Sequence, residues 1–186
     1  MAVQVLDAIT GQDTLILNGE IASMNAVAFS PDGQHLASVG DDRTLHIWDT
    51  KTKKSQVILG HEAAIHSVAY HPDGKSLATA SDDGLVIIWD AAAPKKVASF
   101  RAHRDAVNSV RFSRDGLSLA TASRDDTIKC WDARAGGLLC LFRAHQRGVW
   151  SVAFHPDGRH LASAGDDGTV KIWAVPASRK PPDPTR

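Results

Sequence analysis

One unit recurs four times along this chain, and a fixed period decides the architecture before any other feature does. The segments "AVAFSPDGQHLASVGDDRTLHIWD" (26–49), "SVAYHPDGKSLATASDDGLVIIWD" (67–90), "SVRFSRDGLSLATASRDDTIKCWD" (109–132) and "SVAFHPDGRHLASAGDDGTVKIWA" (151–174) align without a gap. Their tryptophans, Trp48, Trp89, Trp131 and Trp173, lie 41, 42 and 42 residues apart. Within a copy, stretches such as "SVAF", "LASAG" and "VKIW" alternate or run apolar over strand lengths, and no window holds a 3.6-residue stripe. "SPDG" or "HPDG" joins the first two strands as a type I turn: Pro sets φ at the first corner, Asp caps it, and Gly takes the left-handed position that follows. "DDRT", "DDGL", "RDDT" and "DDGT" make a second tight connection, and the linkers "SQVILG", "KKVASFR" and "LLCLFR" supply a fourth strand. Each copy predicts a four-stranded antiparallel meander, and the chain an all-β protein.

Composition narrows the partners. With 186 residues and 43% hydrophobic content, a core can be buried as one domain or as a short array. The 21 basic residues cancel the 21 acidic ones, so no overall field draws the chain to nucleic acid or to an anionic membrane, and neither is expected as a partner. The start "MAVQVLDAIT" lacks a basic region before an apolar run, and no segment approaches the roughly 18 apolar residues of a span. Cys130 and Cys140, placed on neighbouring strands of one hairpin, make a poor disulfide framework. A reducing, cytoplasmic location is expected.

Period, terminal Trp-Asp, Gly-His and turn chemistry together resemble the WD-repeat family of β-propellers over roughly residues 3–174. The resemblance implies four-stranded blades around a central channel, about four of them with N-terminal closing strands, serving as a non-catalytic platform that binds a protein or peptide. It implies no reaction and no cofactor. Repeat 1 is read at 21–61, repeat 2 at 62–103, repeat 3 at 104–145 and repeat 4 at 146–174, the last without its own fourth strand. Residues 175–186 read as an extended Pro-rich tail. An alternative within the resemblance is a regulatory or targeting fragment of a larger signalling enzyme, such as a kinase or protease fusion.

The family's structural tetrad carries over residue by residue: His61, Thr79, Asp83 and Trp89; His103, Thr121, Asp125 and Trp131; His145, Ser163, Asp167 and Trp173. Its implied task is to tie the loop before the innermost strand to the second tight turn, each charge-assisted bond contributing on the order of 1.5 to 3 kcal/mol. A hydrolase triad is the wrong reading of these Ser, His and Asp residues. The set recurs copy after copy, Thr replaces Ser, and a hydrogen-bond chain ending on an indole leaves no exposed nucleophile. The first copy is incomplete: Ser38, Asp42 and Trp48 are in place, but Glu20 stands where the others have His. Two carboxylates share such a site only if one is protonated or swings into water, so the first blade is expected to be the softest.

The resemblance also implies the binding face. The residue before each tetrad Asp and the residue at the bulge opening each innermost strand surround the channel mouth: Asp41 and Asn25, Asp82 and His66, Arg124 and Asn108, Asp166 and Trp150. Trp150 is the one Trp outside the repeat-ending positions, and with three acidic neighbours in the set it points to a basic ligand with an apolar anchor. No metal is expected. His71 and His155 precede "PDG" in surface turns, and the paired Asp residues lack the Gly and Glu of a calcium loop. Nucleotide-binding glycine motifs are absent from the sequence.

Residues 1–20 match the end of a repeat: "VQVLD" stands where "LHIWD" does and "DTLILNG" where "SQVILG" does. "DTLILNG" is therefore expected to pair with "VKIW" of the last copy and protect its edge. Three closures stay open at this point: part of a longer propeller, a homodimer closing an eight-bladed ring with exchanged N-terminal strands, or a four- or five-bladed monomer.

Overall fold

In the computed structural model, residues 2–18 and 23–176 are described. Glu20 and the Pro-rich tail beyond residue 176 lie outside them. The described residues form strands and turns only. An N-terminal hairpin of β1 (Ala2–Leu6) and β2 (Asp13–Asn18) precedes three complete blades. Blade 1 is β3 (Met24–Phe29), β4 (His35–Gly40), β5 (Thr44–Asp49) and β6 (Ser55–Leu59). Blade 2 is β7 (Ile65–Tyr70), β8 (Ser76–Ser81), β9 (Leu85–Asp90) and β10 (Lys96–Arg101). Blade 3 is β11 (Val107–Phe112), β12 (Ser118–Ser123), β13 (Thr127–Asp132) and β14 (Leu138–Arg143). Blade 4 has three strands, β15 (Val149–Phe154), β16 (His160–Gly165) and β17 (Val170–Ala174). All pairings are antiparallel and follow chain order, as tight turns between alternating segments require.

Core material lies between blades rather than inside a single sheet. The second and third strands are packed on both faces, so "LASVG" and "LATAS" read as apolar and small throughout instead of strictly alternating. One side of each blade presents small residues followed by β-branched or Leu side chains, such as Ala78, Ala80 and Val86 of blade 2. The facing side of the next presents a Val, a Leu and the terminal Trp, here Val110, Leu119 and Trp131. The blade 1 to blade 2 and blade 3 to blade 4 junctions repeat this scheme. Fourth strands sit at the rim and are largely exposed.

The "PDG" turns of blades 1, 2 and 4 and the "RDG" turn of blade 3 each close with their glycine in the left-handed region. Gly116 has φ 71°, and a Cβ there would also meet the His71 ring 2.5 Å from its Nε2, so no other residue fits. Every innermost strand carries a register shift at its second residue, which leaves Asn25, His66, Asn108 and Trp150 out of the ladder.

The expected pairing of "DTLILNG" with "VKIW" does not form. β2 pairs with β1, and β17 pairs with β16 alone. A hairpin closed over six residues forms at far lower entropic cost than a pairing between strands more than 150 positions apart. The hairpin does take the third- and fourth-strand positions of a preceding blade: Val3 and Leu17 pack on Leu36 and Trp48 of blade 1. Among the described residues, no strand fills the first and second positions of that blade.

Candidate protein-interaction face

Each tetrad is built by four separate elements. The His stands in the loop before the innermost strand, the Ser or Thr on the second strand, the Asp in the following turn, and the Trp at the end of the third strand. In blade 2, His61 Nδ1 lies 2.8 Å from Asp83 Oδ2, its Nε2 lies 2.8 Å from Thr79 Oγ1, and Trp89 Nε1 donates to the same hydroxyl at 2.8 Å. Blade 3 repeats the chain through His103, Asp125, Thr121 and Trp131 at 3.0, 2.7 and 3.0 Å. Blade 4 does so through His145, Asp167, Ser163 and Trp173 at 2.9, 2.8 and 2.9 Å. A neutral imidazole donating from Nδ1 to the carboxylate and accepting the hydroxyl proton at Nε2 satisfies every member. Backbone N–H groups of Glu62, Arg104 and Gln146 donate to the same carboxylates, which fixes the loop to the turn.

Electrostatics agree with that tautomer. Burial holds the His61 and His103 imidazoles below their ordinary value, more than the adjacent carboxylates can offset. Burial pushes the Asp83 and Asp125 carboxyls up, but the imidazole, with backbone N–H donors and at Asp125 the Thr127 hydroxyl, outweighs it, and both end below the usual range. Asp167 is also lowered, first by the Thr169 hydroxyl. Thr79, Thr121 and Ser163 are buried, so none of the tetrad hydroxyls faces solvent as a nucleophile would. In blade 1, Trp48 Nε1 donates to Ser38 Oγ at 2.9 Å while Asp42 binds Thr44 in its own turn.

Sequence reasoning missed two groups beside the tetrads. The Thr127 and Thr169 hydroxyls hydrogen-bond to Asp125 and Asp167, and the Lys129 and Lys171 ammonium groups donate to the Ala102 and Ala144 carbonyls. The signal was the recurring Thr-x-Lys of "DTIKCW" and "GTVKIW". The two cysteines stand as the sequence reading had them, on neighbouring strands of one hairpin and without a disulfide. Cys130 and Cys140 are free but stand opposite each other in register, and this contact together with burial pushes the Cys130 thiol up.

In three of the four blades the bulge residue meets the residue before the Asp of the tetrad turn. Asn25 donates to Asp41 at 2.7 Å, His66 and Asp82 are 2.6 Å apart, and Trp150 Nε1 donates to Asp166 at 3.3 Å. Asn108 is buried and donates to the Val149 carbonyl of blade 4, as Asn25 donates to the Ile65 carbonyl of blade 2, but it has no acidic residue before the tetrad Asp to bind. Arg124 turns instead to the Trp150 ring, with its guanidinium carbon 5.5 Å from the centroid. Trp150 remains 49% exposed, an aromatic surface held between a cation and a carboxylate rather than packed into the core. On the opposite turn, His155, Asp157 and His160 offer three metal-ligating atoms within 4.8 Å of one another. There both imidazole Nδ1 atoms are directed at Asp157 Oδ2. His160, five positions after His155, is the member the sequence reading passed over.

This repeated blade and its buried tetrad define a WD-repeat β-propeller. Residues 24–180 match the family described as the echinoderm microtubule-associated protein second β-propeller, and the chain belongs to that family. Among solved structures it is similar to one titled "Structure of U3-55K", with a TM-score of 0.80 and 26% identity over 88% of this chain and 52% of that one. The crystal structure of RRP9 WD40 repeats matches with the same score and identity, over 51% of its own chain. Curated relatives include the Lissencephaly-1 homolog 1 of Paramecium tetraurelia, 35% identical over 29% of this chain and 13% of its own length. The vegetative incompatibility protein HET-E-1 of Podospora anserina is 46% identical over 26% of this chain and 4% of its own length. The chain therefore spans about half of the similar solved chains and a small part of these curated relatives. WD-repeat propellers are generally protein-interaction scaffolds, and typically non-enzymatic.

Proposed function

We propose that the chain is a non-catalytic scaffold whose ligand is a protein or peptide segment carrying Lys or Arg beside an apolar anchor, taken on the face of the tetrad loops. The observation that carries this reading is the half-exposed Trp150 ring, with the Asp166 carboxylate at its indole N–H and the Asp82 and Asp41 carboxylates at the equivalent positions of blades 2 and 1. A desolvated aromatic supplies the anchor contact, and the carboxylates select a cationic neighbour. Cytoplasmic location is part of the same proposal, supported by the free thiols of Cys130 and Cys140. So is a second copy of the chain that completes an eight-bladed ring.

Selection from a displayed library of random peptides tests the ligand chemistry. Enriched sequences are expected to combine Lys or Arg with Trp, Leu or Phe, and Trp150→Ala and Asp166→Ala are each expected to weaken their binding. Stability should change by less than about 1 kcal/mol in both variants, as for exposed positions generally. Enrichment of acidic peptides, or a large stability loss in Trp150→Ala with unchanged affinity per folded molecule, overturns the reading.

A further inference from the structure

Among the described residues, each end of the blade row leaves an apolar face exposed. In blades 1 to 3, the small-residue face is buried under the next blade, as for Ala78, Ala80 and Val86 or Ala120, Ala122 and Ile128. The same positions of blade 4 are Ala162, Ala164, Val170 and Ile172, and Val170 is 73% and Ile172 68% exposed. A hollow of about 540 Å³ lies against this face, lined in part by Ala153, Leu161, Ala162 and Ile172. At the other end, Val27 and Phe29 of β3 are 52% and 49% exposed. The counterparts of Val27, namely Val68, Val110 and Val152, are buried by the preceding blade, and those of Phe29 are half-buried.

Polar contacts at the internal junctions repeat the assignment. Ser67 Oγ accepts the Val110 N–H of the next blade at 3.2 Å, and Ser109 Oγ accepts the Val152 N–H at 3.4 Å. Ser151, the next in this series, is exposed, and blade 1 carries Val27 at the donor position. The His71 ring stands edge-on to Phe112, 5.0 Å between centroids, and its Nε2–H donates to the Gly116 carbonyl at 2.9 Å. His155 repeats His71 in blade 4, while Phe29 and Gly33 of blade 1 repeat Phe112 and Gly116. Turn residues run Ser30, His71, Ser113 and His155, so a His turn calls for a Ser turn after it, and blade 1 is a Ser-turn blade.

From these equivalences we infer that two copies join head to tail, the small-residue face of blade 4 in one seated on the Val27–Phe29 face of blade 1 in the other. This rests on the two-copy ring proposed above and specifies its contacts. Such a heterologous junction used twice closes a ring. It also completes the sheet: β2 of each copy pairs with the partner's β17 as the missing fourth strand. β1 is the strand displaced, because β17 is anchored by the bond from Trp173 to Ser163, whereas Leu6 of β1 stands 54% exposed at the matching position.

Light scattering after size-exclusion chromatography of the full chain tests this, with Ile172→Asp and Val27→Arg as exposed-site variants that leave each folded copy intact. The wild type is expected at twice the chain mass, each variant alone at the mass of one chain, and an equimolar mixture again at twice the mass. In that mixture one junction is unaltered and the other sets Asp against Arg. A wild type of single-chain mass at about 100 µM overturns the two-copy ring itself. A dimeric wild type that either variant leaves dimeric keeps the ring and overturns these contacts. Open polymers growing with concentration overturn the closure.

Discussion

Blades 3 and 4 carry nearly the same residues on their small-residue faces and meet opposite fates. Ile128 of blade 3 is fully buried, and its counterpart Val170 is 73% exposed. The three inner strands and the tetrad hydrogen bonds correspond in the two; blade 4 lacks a fourth strand, but what covers Ile128 is the Val149, Val152 and Leu161 side of the blade that follows it. A repeat therefore encodes a face, and a neighbour decides whether that face contributes stability, which is the nearest-neighbour behaviour of stacked repeats.

The strongest way to break the comparison is to truncate both counterparts. Ile128→Ala is expected to cost roughly 2–5 kcal/mol, a buried aliphatic truncation with its cavity. Val170→Ala in dilute, unassociated chains is expected to cost less than about 0.5 kcal/mol. Urea unfolding measures both, and equal losses would show that something within the single chain already covers blade 4.

A smaller effect sharpens the contrast between the complete tetrads and blade 1. Thr121→Val keeps the shape of the side chain but removes the hydroxyl that serves both Trp131 Nε1 and His103 Nε2, at a cost of about 1–3 kcal/mol. Ser38→Ala removes the partner of Trp48 Nε1 alone and is expected to cost less, about 1 kcal/mol. Equal midpoints for the two variants would mean that the imidazole contributes nothing.

Acid supplies the smallest and most graded test. The folded state holds His61 and His103 below the ordinary imidazole value of 6.5, so the unfolded chain binds the proton more readily. Their contribution is complete above about pH 6.5 and is lost as pH falls below it. The carboxyls of Asp83 and Asp125 are also lowered, so a second loss follows as pH falls below their ordinary value of 3.8. The urea midpoint should decline in these two steps, and in His103→Gln the first step should shrink. A midpoint rising between pH 6.5 and 5 would contradict the neutral-imidazole assignment.

What the sequence alone determined is what one repeat settles within itself. The "PDG" turns, strand lengths, four-strand meanders and spacing of His, Ser or Thr, Asp and Trp follow from local backbone preferences and a fixed period, and each copy restates them. Tertiary structure alone decided what the neighbours do. It set β2 against β1 instead of β17, because a short hairpin closes more cheaply than the whole chain. It buried Val68 and left Val27 in solvent, because only one of them has a complete blade in front of it. It also laid Arg124 of blade 3 over Trp150 of blade 4, whereas the matching Asp41 and Asp82 bind Asn25 and His66 within their own blades, a distinction between equivalent repeat positions that arises where two blades meet.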